Sequence, residues 1–420
     1  MWTCLLAKFT QNASLAQKLL ATGNSILCEA NAHDYFWGIG CAEAQLLRRP
    51  ELVRTACGLN VLGRLLMRVR EWLRGVLCLG DSVVCGIRLS KTTIIACPGA
   101  SESIANQYDI HHDGSVTLPL RVMTFNTWNT GKHITNGLLK VAQQVLAVDP
   151  DVVAFQEIQT EATFEKLLRI MGPECQNDSF PDSAVATKHT LVKESCHEGP
   201  HRYAIGCTIM LNNNPKRNIS FWSTHLDYES YGPFAACNKN VNRSFQIEAG
   251  EYNLEYPKKR GRAQNMLELS KDPVFLHHLH KAHKVPIFLS GDFNAPSHLD
   301  WTEETKDLHC GWSFQWPASF ITNERLEFID AYRQIHPNPR TTPGITWSTI
   351  QKSPKGWGWT IPMPQDRIDF IYYKGNGVHP QSAETYQGHG LVLPHPYQQD
   401  NDYPSDHFAV IADFHVSYPN

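Results

Sequence analysis

Asn126, Glu157, His225, Asp292, Asn294, Asp369, Asp406 and His407 bring together side chains suited to the hydrolysis of a phosphate ester. Such an ester resists attack because its oxygens repel the nucleophile. A catalyst therefore needs a cation, a base that orients water, and donors for the charge that develops. Magnesium or manganese prefers carboxylate and amide oxygens, which Glu157, Asp406 and Asn126 can supply while water fills the remaining positions. His407, next to Asp406, and His225, in Ser223-Thr224-His225-Leu226, could act as acid, base or phosphate donor, since imidazole titrates nearest neutral pH. Asp369 is a plausible orienting partner for one of them. Each residue alone is commonplace: a Gly-Asp pair is usually a turn, and a strand-end histidine usually an ordinary hydrogen-bonding group.

Short apolar, β-prone runs precede many of these residues: Val122 to Phe125, Val152 to Phe155, Phe221 to Thr224, Ile287 to Leu289 and Phe370 to Tyr373. Between the first two, Leu138, Leu139, Ala142, Val145 and Leu146 form an amphipathic helical stripe, and Asp149-Pro150-Asp151 punctuates it. The alternation is that of an α/β fold. Because the runs are apolar on both faces, each strand must be covered on both sides, by helices or by a second sheet. Asn126, Glu157, His225, Asp292 and Asn294 fall at strand ends and meet along one rim if the strands are neighbours. Asp369 and Asp406-His407 lie at strand starts, so they reach that rim only on antiparallel strands, which implies a mixed sheet.

The 420-residue chain is 42% hydrophobic and 19% charged, as expected of a folded chain of about two domains. Residues 1–75 read as helical, and a turn-rich stretch at 76–118 reads as a linker to a second domain at 119–420. A formal charge of -3 supplies no global attraction for DNA or RNA and favours a small ester over nucleic acid. The run Lys258-Lys259-Arg260-Gly261-Arg262 reads as a solvated face. Twelve cysteines without a CxxC pair argue against a zinc ribbon and a small disulfide scaffold, and most are expected as buried thiols. Asn177-Asp178-Ser179, Asn218-Ile219-Ser220 and Asn242-Arg243-Ser244 fit the glycosylation pattern, which matters only in a secreted chain. Lys8, Gln11 and Asn12 interrupt the first sixteen residues, and no apolar run reaches membrane-spanning length, so a cytoplasmic protein is the expectation.

Six blocks occur in order: Arg121-Val-Met-Thr-Phe-Asn126, Gln156-Glu157, Thr224-His225-Leu226, Gly291-Asp292-Phe293-Asn294, Arg367-Ile-Asp369-Phe370 and Ser405-Asp406-His407. Their order and approximate spacing resemble the endonuclease/exonuclease/phosphatase superfamily over residues 119–420. The resemblance implies an α/β, four-layer, two-sheet sandwich flanked by helices. It implies a magnesium (or manganese) ion held mainly by Glu157, with Asn126 and Asp406 nearby. Asp292 would orient or deprotonate the attacking water, and Asn294 would hold a phosphate oxygen. His407, polarised by Asp369, would contact the scissile phosphate, and His225 would stabilise the phosphate or leaving oxygen. The stretch 159–220 and an insertion at Asp227 to Arg262 depart from compact members.

Residues 5 to 75 carry a second resemblance. Asp34-Tyr-Phe-Trp37-Gly38-Ile-Gly40 and Gly58-Leu-Asn60-Val-Leu-Gly63 look like the second half of a NADAR domain, a fold associated with N-glycosidic bond hydrolysis. Asp34 and Trp37 match pocket residues of that family, while its first half is missing here. The expected function is metal-dependent hydrolysis of a phosphodiester or phosphomonoester by activated water. The alternatives are a nuclease, or a non-catalytic module that binds NAD or ADP-ribose through the amino-terminal segment. The aromatics Trp301, Trp312, Trp316, Trp347, Trp357, Trp359, Tyr228 and Tyr231 could stack on a ring, although core or loop packing is the commoner use.

Overall fold

The structure is a computed structural model that describes residues 115–171, 182–252, 261–353, 362–388 and 390–419. It also describes shorter pieces within 5–29, 62–70, 94–101, 109–110 and 176–180. Two compact units result, residues 1–107 with 170–172, and residues 108–169 with 173–420.

In the first unit, strand β1 (Ser25–Glu29) pairs antiparallel with β2 (Ile94–Ser101). The helix Ala13–Ala21 begins at Asn12, whose Oδ1 accepts the Leu15 N–H at 3.3 Å and so satisfies one of the free donors of the first turn. Ala16 and Leu19 bury with Leu5, Phe9, Leu27, Leu66 and Val69 in a small core. Part of the stretch 76–118 is thus strand.

The second unit holds two sheets. One contains β3 (Asp109–Ile110), β4 (Val116–Asn126), β5 (Val152–Ile158), β6 (Gln176–Phe180), β7 (Asp182–Thr187), β14 (Val378–Tyr386) and β15 (Ala409–Tyr418), in the order β14-β15-β4-β5-β7-β6 with β3 beside β4. The other contains β8 (Thr190–Glu198), β9 (Ala204–Met210), β10 (Asn218–His225), β11 (Ile287–Asp292), β12 (Ile329–Asp330) and β13 (Asp369–Lys374), in the order β12-β13-β11-β10-β9-β8. The pairs β4–β5 and β10–β11 are parallel and the other pairs antiparallel, the mixed arrangement expected above.

Leu120, Val122 and Ala154 from one sheet meet Ile205, Phe221, Phe288 and Ile371 from the other in a dry core. Alternate residues face outward into the helical layers. Trp222, Leu289 and Phe370 pack with Met266 and Phe275 of the helices Arg262–Leu269 and Pro273–His280. The helix Gly137–Val148 buries Val141, Ala142 and Val145, and Phe164 of helix Glu161–Met171 meets Phe155 edge-on. The fold is therefore the four-layer sandwich. Gln156 ties the sheets together: its Oε1 accepts from Thr124 Oγ1 at 3.2 Å, and its Nε2 donates to Ser223 Oγ at 3.2 Å.

The indole of Trp222 lies against Gly206, where a Cβ would come within 2.2 Å of the ring, and its Nε1 donates to His278 Nδ1 at 3.1 Å. That bond requires a neutral acceptor nitrogen. Burial, with the neighbouring His277, His197 and Lys281, pushes the His278 pKa down to about 4 against an opposing pull from Asp272. The unfolded chain thus binds this proton near pH 6.5 and the folded chain only near pH 4, so acidification across that window favours unfolding. Stability should fall more between pH 7 and pH 5 in the wild type than in His278→Asn, which keeps an acceptor without a titrating ring. Urea midpoints at the two pH values measure this, and equal losses would refute it.

Candidate active site

The predicted residues converge, but from both sheets. Asn126 and Glu157 end β4 and approach the end of β5, and Asp406-His407 precede β15, all on the first sheet. His225 and Asp292 end β10 and β11 in register with each other, and Asp369 opens β13 opposite Asp292. The site therefore lies between the rims of the two sheets.

Local backbone conformation aims the side chains. Glu157 sits at a register shift with φ +60, a left-handed conformation rare outside glycine, and the bulge redirects its carboxylate. There Oε2 accepts the Asn129 N–H at 2.8 Å and Oε1 accepts from Asn126 Nδ2 at 3.2 Å. Gly291 has φ +154, and a Cβ there would lie 1.9 Å from the Thr224 carbonyl, so only glycine lets β11 run this close to β10. Asn294 has φ +50, donates its backbone N–H to Asp292 Oδ1 at 2.7 Å and its Nδ2 to the Leu226 carbonyl at 2.9 Å.

Asp292 is the centre of the cluster. It is buried, and its Oδ2 accepts from Asn126 Nδ2 at 2.9 Å while standing 3.5 Å from His225 Nε2 and 3.7 Å from His407 Nε2. Burial and the Asp369 charge raise its pKa, opposed by the two imidazoles and Asn126. Each histidine is backed by a second carboxylate: His407 Nδ1 by Asp369 Oδ2 at 2.9 Å, and His225 Nδ1 by Asp182 Oδ2 at 2.8 Å. Burial disfavours the protonated rings, but the carboxylates outweigh it and hold each pKa up at about 10. Both rings are imidazolium at neutral pH, so both nitrogens donate.

The sequence offered Asp369 as a partner for one histidine and missed Asp182, which lies 43 positions before His225 at the start of β7, between β5 and β6. No spacing rule would have found it. In Asp182→Asn the His225 pKa should drop by about one to three pH units, read by NMR titration of the ring protons. An unmoved pKa would show that Asp292 and Glu157 alone hold the proton.

Asp406 is buried, with Oδ2 receiving long contacts of 3.4 Å from Trp347 Nε1 and Gln351 Nε2, while Oδ1 has no hydrogen-bond donor among the described residues. Burial pushes its pKa up to about 7; His407 opposes, and Glu157 and Asp292 add to the rise. A buried, unsatisfied carboxylate oxygen within the field of a second carboxylate suits a hard cation. Asp292, Asp369 and His407 also approach one another closely enough to share an ion. His407 is a poor ligand there, since Nδ1 is committed to Asp369 and its ring is held protonated.

The segment around Thr346 to Thr349 joins the strands. Thr346 Oγ1 accepts the Ile368 and Asp369 N–H groups, and Thr349 Oγ1 donates to the Ser405 carbonyl. Ser405 Oγ donates to the Asn126 carbonyl at 2.6 Å and accepts the His407 N–H at 3.0 Å. A cleft of about 340 Å³ opens above, lined by Glu157, His225, Asn294, Asp406 and His407 with the aromatics Trp128, Tyr228, Tyr231 and Trp347. Trp301 and Trp316 instead fill a buried cluster with Trp312 against it. Asp34, Trp37, Trp357, Trp359 and Lys258 to Arg260 lie outside the described residues.

The insertion from Asp227 to Arg262 supplies one cleft wall. Its closing Arg262 is fully buried, paired with Glu251 at 2.7 Å, and donates to the carbonyls of Asp227, Glu229 and Ser230. That clasp fixes the turn bearing Tyr228 and Tyr231. Cys237 at the end of the next helix is disulfide-bonded to Cys310, and Cys196 to Cys207, so these four are not the free thiols expected from sequence; Cys28 is buried.

Residues 123–407, more than half of the chain, match the model of the Endonuclease/Exonuclease/phosphatase family. The chain belongs to that family. Its members are hydrolases of phosphoric ester bonds, generally dependent on a divalent metal. Residues 1–74 match the NADAR domain. Over 298 residues the chain is 46% identical to the uncharacterized protein F14F9.5 of Caenorhabditis elegans, covering 70% of this chain and 91% of that one. Over 64 residues it is 44% identical to N-glycosidase R617 of Acanthamoeba polyphaga mimivirus, 15% of this chain and 36% of that protein. The human Nocturnin catalytic domain, solved with a bound sulfate anion, aligns with a TM-score of 0.43 at 20% identity over 73% of this chain and 97% of that domain. Among the described residues no helix is long and apolar enough to cross a membrane.

Proposed function

We propose that the cleft hydrolyses a compact phosphate ester, a phosphodiester or phosphomonoester bearing a planar ring, by attack of water. The observation that carries this reading is Asp292 at the focus of two imidazolium rings, each 3.5–3.7 Å away and each anchored from behind by a carboxylate. Asp292, the carboxylate between the two rings, can take a proton from water, whereas both histidines already carry theirs. Asn294 fixes the carboxylate through its backbone N–H and stands at the cleft to meet a phosphate oxygen. His407 and His225 present Nε2–H donors to the charge that builds on the phosphate and on the leaving oxygen. Asp369 and Asp182 keep those protons in place.

Glu157 and Asp406, with Asn126 beside them, would hold a magnesium or manganese ion, which when bound polarises a phosphoryl oxygen. The aromatic rings Tyr228, Tyr231, Trp347 and Trp128 offer faces or edges to a planar group. Among the described residues no lysine or arginine lines the cleft. A long nucleic acid draws its affinity largely from such cations, which favours the small ester.

The decisive test is product release from a panel of nucleotides, sugar phosphates, lipid-headgroup esters, DNA and RNA, with magnesium, manganese or chelator. Turnover should appear with a small ring-bearing ester, vanish with chelator, and depend little on salt. Fastest cleavage of DNA or RNA with a steep salt dependence would overturn the small-ester assignment. Undiminished turnover in chelator would overturn the role of Glu157 and Asp406.

A further inference from the structure

Two features of the second unit lie outside the chemistry of the cleft. The first is its pair of disulfides. Cys237–Cys310 joins positions 73 residues apart, linking the insertion to the loop that follows Trp301, and Cys196–Cys207 links the neighbouring strands β8 and β9. Such bonds form and persist where the surroundings oxidise thiols, and are rare where glutathione keeps them reduced.

The second is the fate of the Asn-x-Ser triplets. Asn218 turns its Nδ2 onto the Pro215 carbonyl at 2.9 Å, its own carbonyl accepts from Tyr418, and Ser220 is buried against β11. In the first unit Asn12, in Asn12-Ala13-Ser14, spends its side chain as a helix cap. The side chain of Asn177 lies outside the described residues. Asn242 differs. It is exposed at the turn before helix Ser244–Tyr252, with Arg243 and Ser244 exposed beside it. Gln246 Oε1 accepts the backbone N–H groups of Asn242 and Arg243 and fixes the turn, while the Asn242 side-chain amide takes no hydrogen bond among the described residues. Its nitrogen can therefore carry a bulky substituent into solvent without disturbing a contact.

We infer that this protein matures in an oxidising, glycosylating compartment and carries an N-linked glycan on Asn242. The expectation of a cytoplasmic protein is replaced by one of an exported or lumenal protein. The linkage joins an oligosaccharide to Asn242 Nδ2 as the lipid-pyrophosphate carrier of that oligosaccharide departs, with one amide proton lost.

The test uses the full-length protein purified from its own cells, kept under alkylating, non-reducing conditions. It is treated with a peptide-N-glycosidase in heavy-oxygen water and mapped by mass spectrometry. The Asn242 peptide should appear as heavy-labelled aspartate, and Cys237 and Cys310 should emerge in one cross-linked species. Recovery of unlabelled Asn242, a label confined to Asn218, or alkylated Cys237 and Cys310 without prior reduction would each overturn the inference.

Discussion

Asp292→Asn should lower kcat by at least about 100-fold while the chain stays folded, the scale on which a positioned general base contributes. Asparagine keeps the shape and can still accept from Asn126 Nδ2, but it cannot take a proton from water. The fold should tolerate the change because the native carboxylate is already disfavoured there by burial and by Asp369. One contact is lost, since the Asn294 N–H would face an amide group in place of Asp292 Oδ1. A thermal melt and steady-state kinetics on the best ester of the panel check both halves. A kcat within about threefold of wild type would remove Asp292 from the mechanism, since a difference that small is well under 1 kcal/mol of barrier. The same variant should leave KM little changed, because its contribution arises in the transition state.

Arg367→Met should cost about 3–5 kcal/mol of unfolding free energy, the penalty for stranding buried charges. Arg367 is fully buried, forks onto both oxygens of Asp300 at 3.0 Å, and reaches Asp330 Oδ2 at 2.7 Å. Burial alone would lower its pKa, but the two carboxylates raise it above the ordinary arginine value. Arg333 shares Asp300 at 2.6 Å and holds the carbonyls of His336, Thr342 and Pro343. Methionine fills the space yet leaves Asp330 with no cation in contact. Urea denaturation measures the loss, and a value below about 1 kcal/mol, the range of exposed pairs, would mean that water already solvates this network. Activity should fall as well, because Arg367 sets the chain two residues before Asp369. Arg367→Lys should lie between, since an ammonium lacks the planar fork.

Much of the sheet framework was legible in the sequence, because strands buried on both faces leave uninterrupted apolar runs whatever their partners. The runs ending at Asn126, His225 and Asp292 are strands that stop at those residues. The antiparallel setting of Asp369 followed from its place at a strand start. What the runs could not show was that they divide between two sheets. Pairing depends on contacts far apart in the chain, so a single rim and a cleft between two rims leave the same local pattern.

The residue types and order of the six blocks determined the family and the chemistry, since carboxylate, amide and imidazole each bring a fixed repertoire of donors and acceptors. Tertiary structure alone decided which groups act on which. Asp182 reaches His225 only because β7 lies beside β5 and delivers its first residue to the rim. Cys237 meets Cys310, and Arg262 clasps the turn that carries Tyr228 and Tyr231, only because the insertion folds back on the second sheet's helical layer. Those contacts fix protonation and cleft shape through distance and burial, and neither quantity is carried by any local stretch of sequence.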